Sequence, residues 1–456
     1  MKTRAILFLV LIQLQCFRFQ ENLFDPTSPF SLVMSSLFGN VNIDGYSGFL
    51  SSGDLAGFNK ANTNTYVSFA RRSFGPLDDP SNRIDLIVAN ENSTDIIPTN
   101  VPMIGDQYVR LVGYGYVPTN VTHVYSFLFQ VNLYTFDTGT SEHYFWSGPS
   151  LPTAGSVMTF AKVDPVSAGN GIHSFAPLTA GGGVENAVSC ESPINGGSVV
   201  CYGRSGDFSS PVLIGGVMSS PTSCEKYAQV TPGTAWCYDA TSGASGADIT
   251  FYGSDGTAAG FLNQPVDLST ANFGSSPFDQ YPSLQNVVVQ PDFSESYFIE
   301  NAADTLRITT GIGDLTSFGS VSLGVNGNQQ ILSAPGILSS DYINSVRSFV
   351  SPPASYLSFI LSRDSANLYT PYLFRSIDQG VNWAPINLSS MPLPPSTFED
   401  PMLPIYTPVM GTFVTNSGTE KLHLFTNTSD HLLKRYVSTD SGVTWTEQET
   451  ITPSVK

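Results

Sequence analysis

The stretch RSIDQGVNW, Arg375 to Trp383, returns 62 residues later as VSTDSGVTW, Val437 to Trp445. Both copies spell Ser-x-Asp-x-Gly-Val-x-Trp, and both follow runs of strand character, YLSFILSR and KLHLFTN. A chain that writes one tight turn twice after the same kind of strand folds by repetition. Each unit cannot bury its apolar face alone and must stack on its neighbours. In each unit the order is a strand, a polar turn, a second strand, the Asp-Gly turn, then a short strand beginning at the tryptophan.

The rest of the chain agrees with a strand-built architecture. Val, Ile, Tyr and Phe cluster in short runs such as TYVSFARR, VYSFLFQVNLYTF and GSVVCYG, bounded by turn residues from a pool rich in Gly (40) and Pro (31). Period-two alternation and short unbroken apolar runs read as strands, and no window carries a capped 3.6-residue stripe. The sequence predicts an all-β protein. Fainter echoes of the Asp turn occur near Asp137, Asp207, Asp255 and Asp314. With the two full copies they recur every ~50–70 residues, the spacing of four-stranded antiparallel blades arranged radially. The expectation is a β-propeller of seven blades, six being the alternative, forming one domain over residues 21–456. Strand material between residues 21 and about 60 is expected to close the ring by joining the last blade.

The motif has a local chemical logic. A carboxylate in a tight hairpin accepts several backbone N–H groups. Gly380 and Gly442 supply the positive φ that a side chain would resist. Ser376 and Ser438 add a hydroxyl. Trp383 and Trp445 lay large apolar faces on neighbouring strands. The pattern at Ser376, Asp378, Gly380 and Trp383, and at Ser438, Asp440, Gly442, Thr444 and Trp445, resembles the Asp box, the repeat of bacterial neuraminidases. That repeat also occurs in other glycoside hydrolases and in sortilin-type receptors. The first box departs from it at Asn382, where Thr is usual. The resemblance implies a propeller with its boxes on the blade periphery, away from the axial pocket, so Asp378 and Asp440 read as structural. Arg375 and Arg435, on the strands ahead of the boxes, read as partners in blade-edge salt bridges.

Residues 1–20 place Lys2 and Arg4 ahead of an apolar run from Ala5 to Leu14. That is the layout of a secretory signal peptide, and no later stretch reaches the ~18–20 apolar residues of a membrane helix. Four N-glycosylation triplets, at Asn92, Asn120, Asn387 and Asn427, fit a secreted, extracellular chain. Beyond Cys16, the cysteines are Cys190, Cys201, Cys224 and Cys237. Three connectivities are open. Cys190–Cys201 and Cys224–Cys237 are favoured because each pair brackets a turn, whereas a zinc site would ask for a C-x2-C spacing that does not occur.

Function is less legible. Only 12% of residues are charged and the net charge is −18, so there is no basic stripe for nucleic acid and little attraction to an anionic membrane. The sequence asks for no cofactor and no metal, and leaves oligomeric state open. If the chain is an enzyme, the resemblance implies a sialidase-like exo-glycosidase. Such an enzyme needs three arginines clamping a carboxylate, a Tyr–Glu nucleophile pair and an Asp proton donor. The Phe/Tyr-Arg-Ile-Pro motif that normally carries the first arginine is not found. The remaining candidates are Arg72, Arg307 and Arg363 for the clamp, with Asp79, Glu225 and Tyr227. A glycosidase with two carboxylates would draw on Asp78 and Asp79 or on Glu399 and Asp400. The preferred reading is an extracellular binding module for a glycan or protein ligand. Tyr144, Phe145 and Trp146 are its candidates for stacking on a sugar ring or anchoring a partner, unless they belong to the blade core.

Overall fold

The computed structural model describes residues 44–49, 66–74, 81–102, 108–118, 123–133, 140–179, 185–193, 200–205, 208–209, 211–214, 226–231, 234–243, 246–254, 262–267, 287–289, 295–314, 322–323, 328–351, 353–363, 368–388, 411–416, 418–427 and 432–451. These residues are all-β. No helix among them is long and apolar enough to cross a membrane.

The described strands form seven sheets in chain order. The first holds β1 (Asp44–Phe49), β2 (Tyr66–Phe74), β3 (Arg83–Ala89) and β4 (Thr94–Pro102). The second holds β5 (Tyr108–Pro118), β6 (His123–Leu133), β7 (Thr140–Gly148) and β8 (Ala161–Val163). The third holds β9 (Asn170–Thr179), β10 (Glu185–Pro193), β11 (Val200–Ser205) and β12 (Val212–Leu213). The fourth holds β13 (Lys226–Thr231), β14 (Thr234–Gly243), β15 (Gly246–Ser254) and β16 (Leu262–Asp267). In the fifth, β17 (Val287–Val289), β18 (Glu295–Ala302) and β19 (Thr305–Asp314) are followed by β20 (Ser322–Leu323) and β21 (Asn328–Ser333), both paired to β19. The sixth holds β22 (Tyr342–Ser351), β23 (Ala354–Arg363), β24 (Leu368–Ser376) and β25 (Ala384–Pro385). The seventh holds β26 (Gly411–Asn416), β27 (Glu420–Asn427), β28 (Leu433–Ser438) and β29 (Thr446–Ile451).

Each sheet is an antiparallel meander, and where burial is described the middle strands are covered and the last strands more exposed. β3 buries Ile84, Asp85, Leu86 and Ile87 in succession, the unbroken pattern of a strand covered on both faces. The short closing strands β8, β12 and β25 are largely exposed, which keeps the unpaired outer edges short. First strands of consecutive sheets run beside one another: β5 by β9, β9 by β13, β17 by β22 and β22 by β26.

Apolar clusters fill the spaces between sheets. Phe69, Leu86 and Ile97 of the first sheet pack on Phe127, Phe129 and Val131 of the second. Leu128 and Phe145 of the second meet Ile172, Phe175 and Phe208. Ile299 and Ile308 of the fifth meet Leu357, Phe359 and Phe374 of the sixth. Tyr356 and Leu373 of the sixth meet Leu422, Leu424 and Tyr436 of the seventh. The first and last sheets also pack together, through Tyr66, Ala70 and Ile87 against Phe425, Leu433 and Ile451, with the Tyr66 and Phe425 rings stacked at 5.5 Å.

Strand β1, the described part of residues 21–60, pairs with β2, and the rest of that stretch, where ring-closing strand material is expected, lies outside the described residues. Among the described residues, the seventh sheet is built from β26–β29 and meets the first by side-chain packing. Among the fainter turn echoes, Asp314 is the last residue of β19, the third strand of its sheet, and Asp137, Asp207 and Asp255 lie outside the described residues.

Phe69 lies edge-on to Phe127 at 5.0 Å and to Phe129 at 4.8 Å. Phe69→Ala is expected to cost about 3–5 kcal/mol, seen as a lower Tm by circular dichroism. Leu213→Ser, on an exposed closing strand, should stay within about 0.5 kcal/mol of the parent.

Candidate functional site

The two Asp turns share one set of bonds. In the first, the Ser376 hydroxyl donates to Asp378 Oδ1 at 2.8 Å and accepts from the Gly380 amide at 2.8 Å. The Asn382 amide donates to Asp378 Oδ1 and its side-chain Nδ2 to Oδ2, at 2.8 and 2.7 Å. In the second, Ser438, Asp440, Gly442 and Thr444 repeat this at 2.6–2.8 Å, with the Thr444 hydroxyl in place of the Asn382 amide. Asn382 therefore supplies a donor where Thr would, and the departure at that position costs no hydrogen bond. Positive φ is adopted by Gly380 and Gly442 and also by the residue before each, Gln379 and Ser441. Hydrogen bonds from residue 444 and Ser438 hold the Asp440 carboxyl down at about 2, and the same set around Asp378 lowers it below the usual carboxylate range.

Each turn sits on the preceding sheet. A Cβ on Gly380 would meet the Thr310 side chain of the fifth sheet at 2.6 Å, and one on Gly442 would collide with the Ile386 side chain of the sixth. Trp383 donates its indole N–H to Thr310 Oγ1 at 3.3 Å and lies edge-on to Tyr297. Trp445 packs on the cluster between sheets six and seven.

The arginine candidates are not brought together as a free clamp. Arg307 is buried on β19, and its guanidinium donates through Nε and Nη2 to one oxygen of Glu300, its cross-strand neighbour on β18. Burial pushes the Glu300 carboxyl up to about 7 against the pull of Arg307. Arg363, at the end of β23, grips both oxygens of Asp341 at 2.7 Å. Asp341 also accepts the Leu338 amide. Arg72 is buried on β2, opposite Tyr46 and Arg83 in register. Tyr227 lies on β13 opposite Cys237. Asp78, Asp79, Glu225, Glu399 and Asp400 lie outside the described residues. A guanidinium already in a two-pronged pair with a carboxylate of its own sheet has few donors left for a ligand carboxylate.

A Tyr–Glu–Arg group that sequence reasoning missed spans sheets six and seven. The Tyr356 hydroxyl donates to Glu420 Oε1 at 2.5 Å, and Arg375 donates to Tyr356 at 3.1 Å and to Glu420 at 3.2 Å. Arg375 is thus in the edge salt bridge expected of it. Arg435 instead spends its donors on backbone carbonyls of the first sheet. Tyr356 is fully buried, and burial, reinforced by the Glu420 carboxylate, raises its hydroxyl pKa. The group is placed and tuned as a clasp between sheets, with a phenol that keeps its proton. Only the fold could reveal it, since Tyr356 and Glu420 lie 64 residues apart.

The aromatic trio on β7 divides by strand alternation. Phe145 faces the third sheet, is closed to solvent and packs on Phe175 and Phe208, so it is a core residue and no ligand can stack on it. Tyr144 and Trp146 are half-buried on the other face, against the cluster between sheets one and two. Trp146 stacks on Phe127, and the Tyr144 hydroxyl donates to Glu142, which also pairs with Lys162.

Cys190 and Cys201 lie opposite each other on β10 and β11 and form a disulfide. Cys224 lies outside the described residues, so its pairing with Cys237 does too. Asn92 and Asn387 are exposed, Asn427 ends β27, and Asn120 is outside the described residues.

No protein-family model matches this chain, and no curated protein matches it. Among solved structures, it is similar to a mutant of the Aleuria aurantia lectin in complex with alpha-methyl-L-fucoside, at 11% identity over 76% of this chain and 95% of that one, with a TM-score of 0.34. It is also similar to a mutant NanB sialidase from Streptococcus pneumoniae, at 8% identity over 69% and 64%, with a TM-score of 0.39. A polysaccharide lyase described as an ulvan lyase gives 8% identity over 89% and 86%, with a TM-score of 0.34. Scores this low leave the function to be argued from the chain itself.

Ser438→Ala removes a buried hydroxyl that serves both Asp440 and the Gly442 amide. It should cost about 1–3 kcal/mol, read as a lower midpoint of urea unfolding. Because the Asp440 carboxyl is depressed in the fold, its contribution is complete above the ordinary carboxylate range, about 3.9, and is lost as pH falls through about 2. Asp440→Asn should flatten that acid limb of a pH–Tm profile.

Proposed function

We propose that the seven sheets are the blades of a closed seven-bladed β-propeller, and that the chain is a secreted, N-glycosylated protein acting as an extracellular binding module for a glycan or protein ligand. The radial reading is supported by the neighbouring first strands and by the packing of first sheet on last. In an antiparallel meander, the first-to-second and third-to-fourth turns share one end, which carries both Asp boxes. The second-to-third turns and the sheet-to-sheet connections share the other, and that loop-built end is where a ligand would be met. Signal peptide cleavage after about residue 20 and glycosylation at Asn92, Asn120, Asn387 and Asn427 belong to the same proposal.

The observation that carries binding over hydrolysis is the state of the arginines. Arg307 and Arg363 are each committed to a carboxylate of their own sheet. The alternative is a sialidase-like glycoside hydrolase, and the Tyr356–Glu420 pair is the observation in its favour. Against it, Tyr356 has no solvent-exposed surface and lies at the Asp-box end of its strand.

The test uses the secreted full-length protein on a glycan array, with a fluorogenic sialoside assay alongside. Saturable binding to a glycan class without release of the fluorophore above a heat-denatured control is expected. Turnover that disappears in Tyr356→Phe would overturn the binding reading in favour of the enzyme. A silent array would remove the glycan half of the proposal.

A further inference from the structure

The junction between first and last sheets is built around a buried cation. Arg435 on β28 is fully buried and reaches the turn between β3 and β4. Its Nη2 donates to the carbonyls of Asn90 and, at 3.2 Å, Glu91. Its Nη1 donates to the Ser93 carbonyl and the Thr94 hydroxyl, both at 3.1 Å. A further close partner is His423 Nδ1 on β27, 3.0 Å from Nη2. A guanidinium has only donors, so the imidazole must present a lone pair at Nδ1 and must be neutral. Around this core, Lys421 pairs with Glu91 and Gln448 donates to the Glu91 carbonyl at 3.2 Å.

We propose that His423 makes the junction between the first and seventh sheets an acid-sensitive latch: protonation of its imidazole sets two cations against each other in a buried space, expels Arg435 and releases the 90–94 turn. The inference stands on these contacts and needs neither the binding role nor a particular ligand.

The groups facing His423 set the direction. Burial comes first, then the cations Arg435 and Lys421, all lowering its pKa, while Glu91 acts weakly against them. The imidazole is held at about 3, down from 6.5. Glu449 on β29 favours the charge of Arg435 without offsetting its burial. Further down the same side of the first sheet, Asp85 is already paired with Arg83 at 2.8 Å, and Arg72 is buried beside them in register. Below 6.5 the opened form takes up a proton that the closed form refuses. Closure is therefore at full strength above 6.5 and weakens about tenfold for each pH unit below it, down to the folded value.

Hydrogen exchange followed by mass spectrometry on the intact protein, with times scaled to the intrinsic rate at each pH, reads this directly. Between pH 7 and pH 5, peptides covering 86–94 and 433–438 should lose protection by about tenfold per unit below 6.5. A control peptide over 356–363 should hold. A second buried imidazole among the described residues, His143, accepts the Ile172 amide at 2.9 Å, and peptide 140–148 reports it separately. His423→Asn keeps an acceptor for Arg435 that does not titrate, so it should abolish the slope at the junction alone. The latch is overturned if the junction peptides keep their protection at pH 5, if the control loses protection in parallel, or if His423→Asn retains the parental slope. Should that variant fail to fold, the contrast between junction and control peptides in the parent decides alone.

Discussion

A four-stranded antiparallel meander has two faces, and the middle strand β3 is covered on both: Ile84, Asp85, Leu86 and Ile87 are buried in succession and leave no side for water. Such a sheet is stable only with a neighbour on each flank, and that holds equally for the first and last sheets. The packing of Tyr66, Ala70 and Ile87 on Phe425, Leu433 and Ile451 answers that demand for both at once. The rest of the architecture serves the spacing and angle at which sheets can meet.

Polar turns set that spacing. The Ser–Asp bonding at residues 376–382 and 438–444 fixes two hairpins, and each lowers a glycine onto the sheet before it, close enough to exclude a Cβ. The 90–94 turn of the first sheet is the equivalent third-to-fourth connection. It has no such carboxylate staple. Asn90 organises it by accepting the amides of Asn92 and Ser93, and Arg435 of the seventh sheet supplies from outside the donors that hold its carbonyls. The same docking geometry is thus reached by two chemistries, one internal to the turn and one borrowed from the neighbour. Borrowing buries a cation between the sheets, and a buried cation constrains the protonation of the imidazole beside it.

Much of this was legible in the residues. Strand content followed from period-two runs bounded by Gly and Pro. The Asp turns followed from a spacing in which each residue has one bonding role, and the Asn382 departure proved to be a change of donor. The Cys190–Cys201 bridge spans a hairpin, so eleven residues of sequence contained its geometry. What escaped was non-local. Tyr356 with Glu420, and Arg435 with the 90–94 turn, pair residues tens to hundreds of positions apart, and no periodicity records them. Phe145 illustrates a different limit. Its neighbours Tyr144 and Trp146 are equally aromatic, and only the pleat decides which of the three faces the closed side. Arg307 and Arg363 looked like candidates for a ligand because their carboxylate partners, Glu300 and Asp341, were not separately recognisable as such.

Every strand ladder among the described sheets is completed within a contiguous stretch of chain, so in its strand pairing each sheet is a cassette, tied to its neighbours by contacts such as the Met158 amide on the Pro98 carbonyl at 2.8 Å. Duplication or loss of a cassette would require new side chains at two flanks but no re-registration of any strand. The two cassettes that carry the Ser–Asp turn are also the two whose sequences match each other, at 375–383 and 437–445.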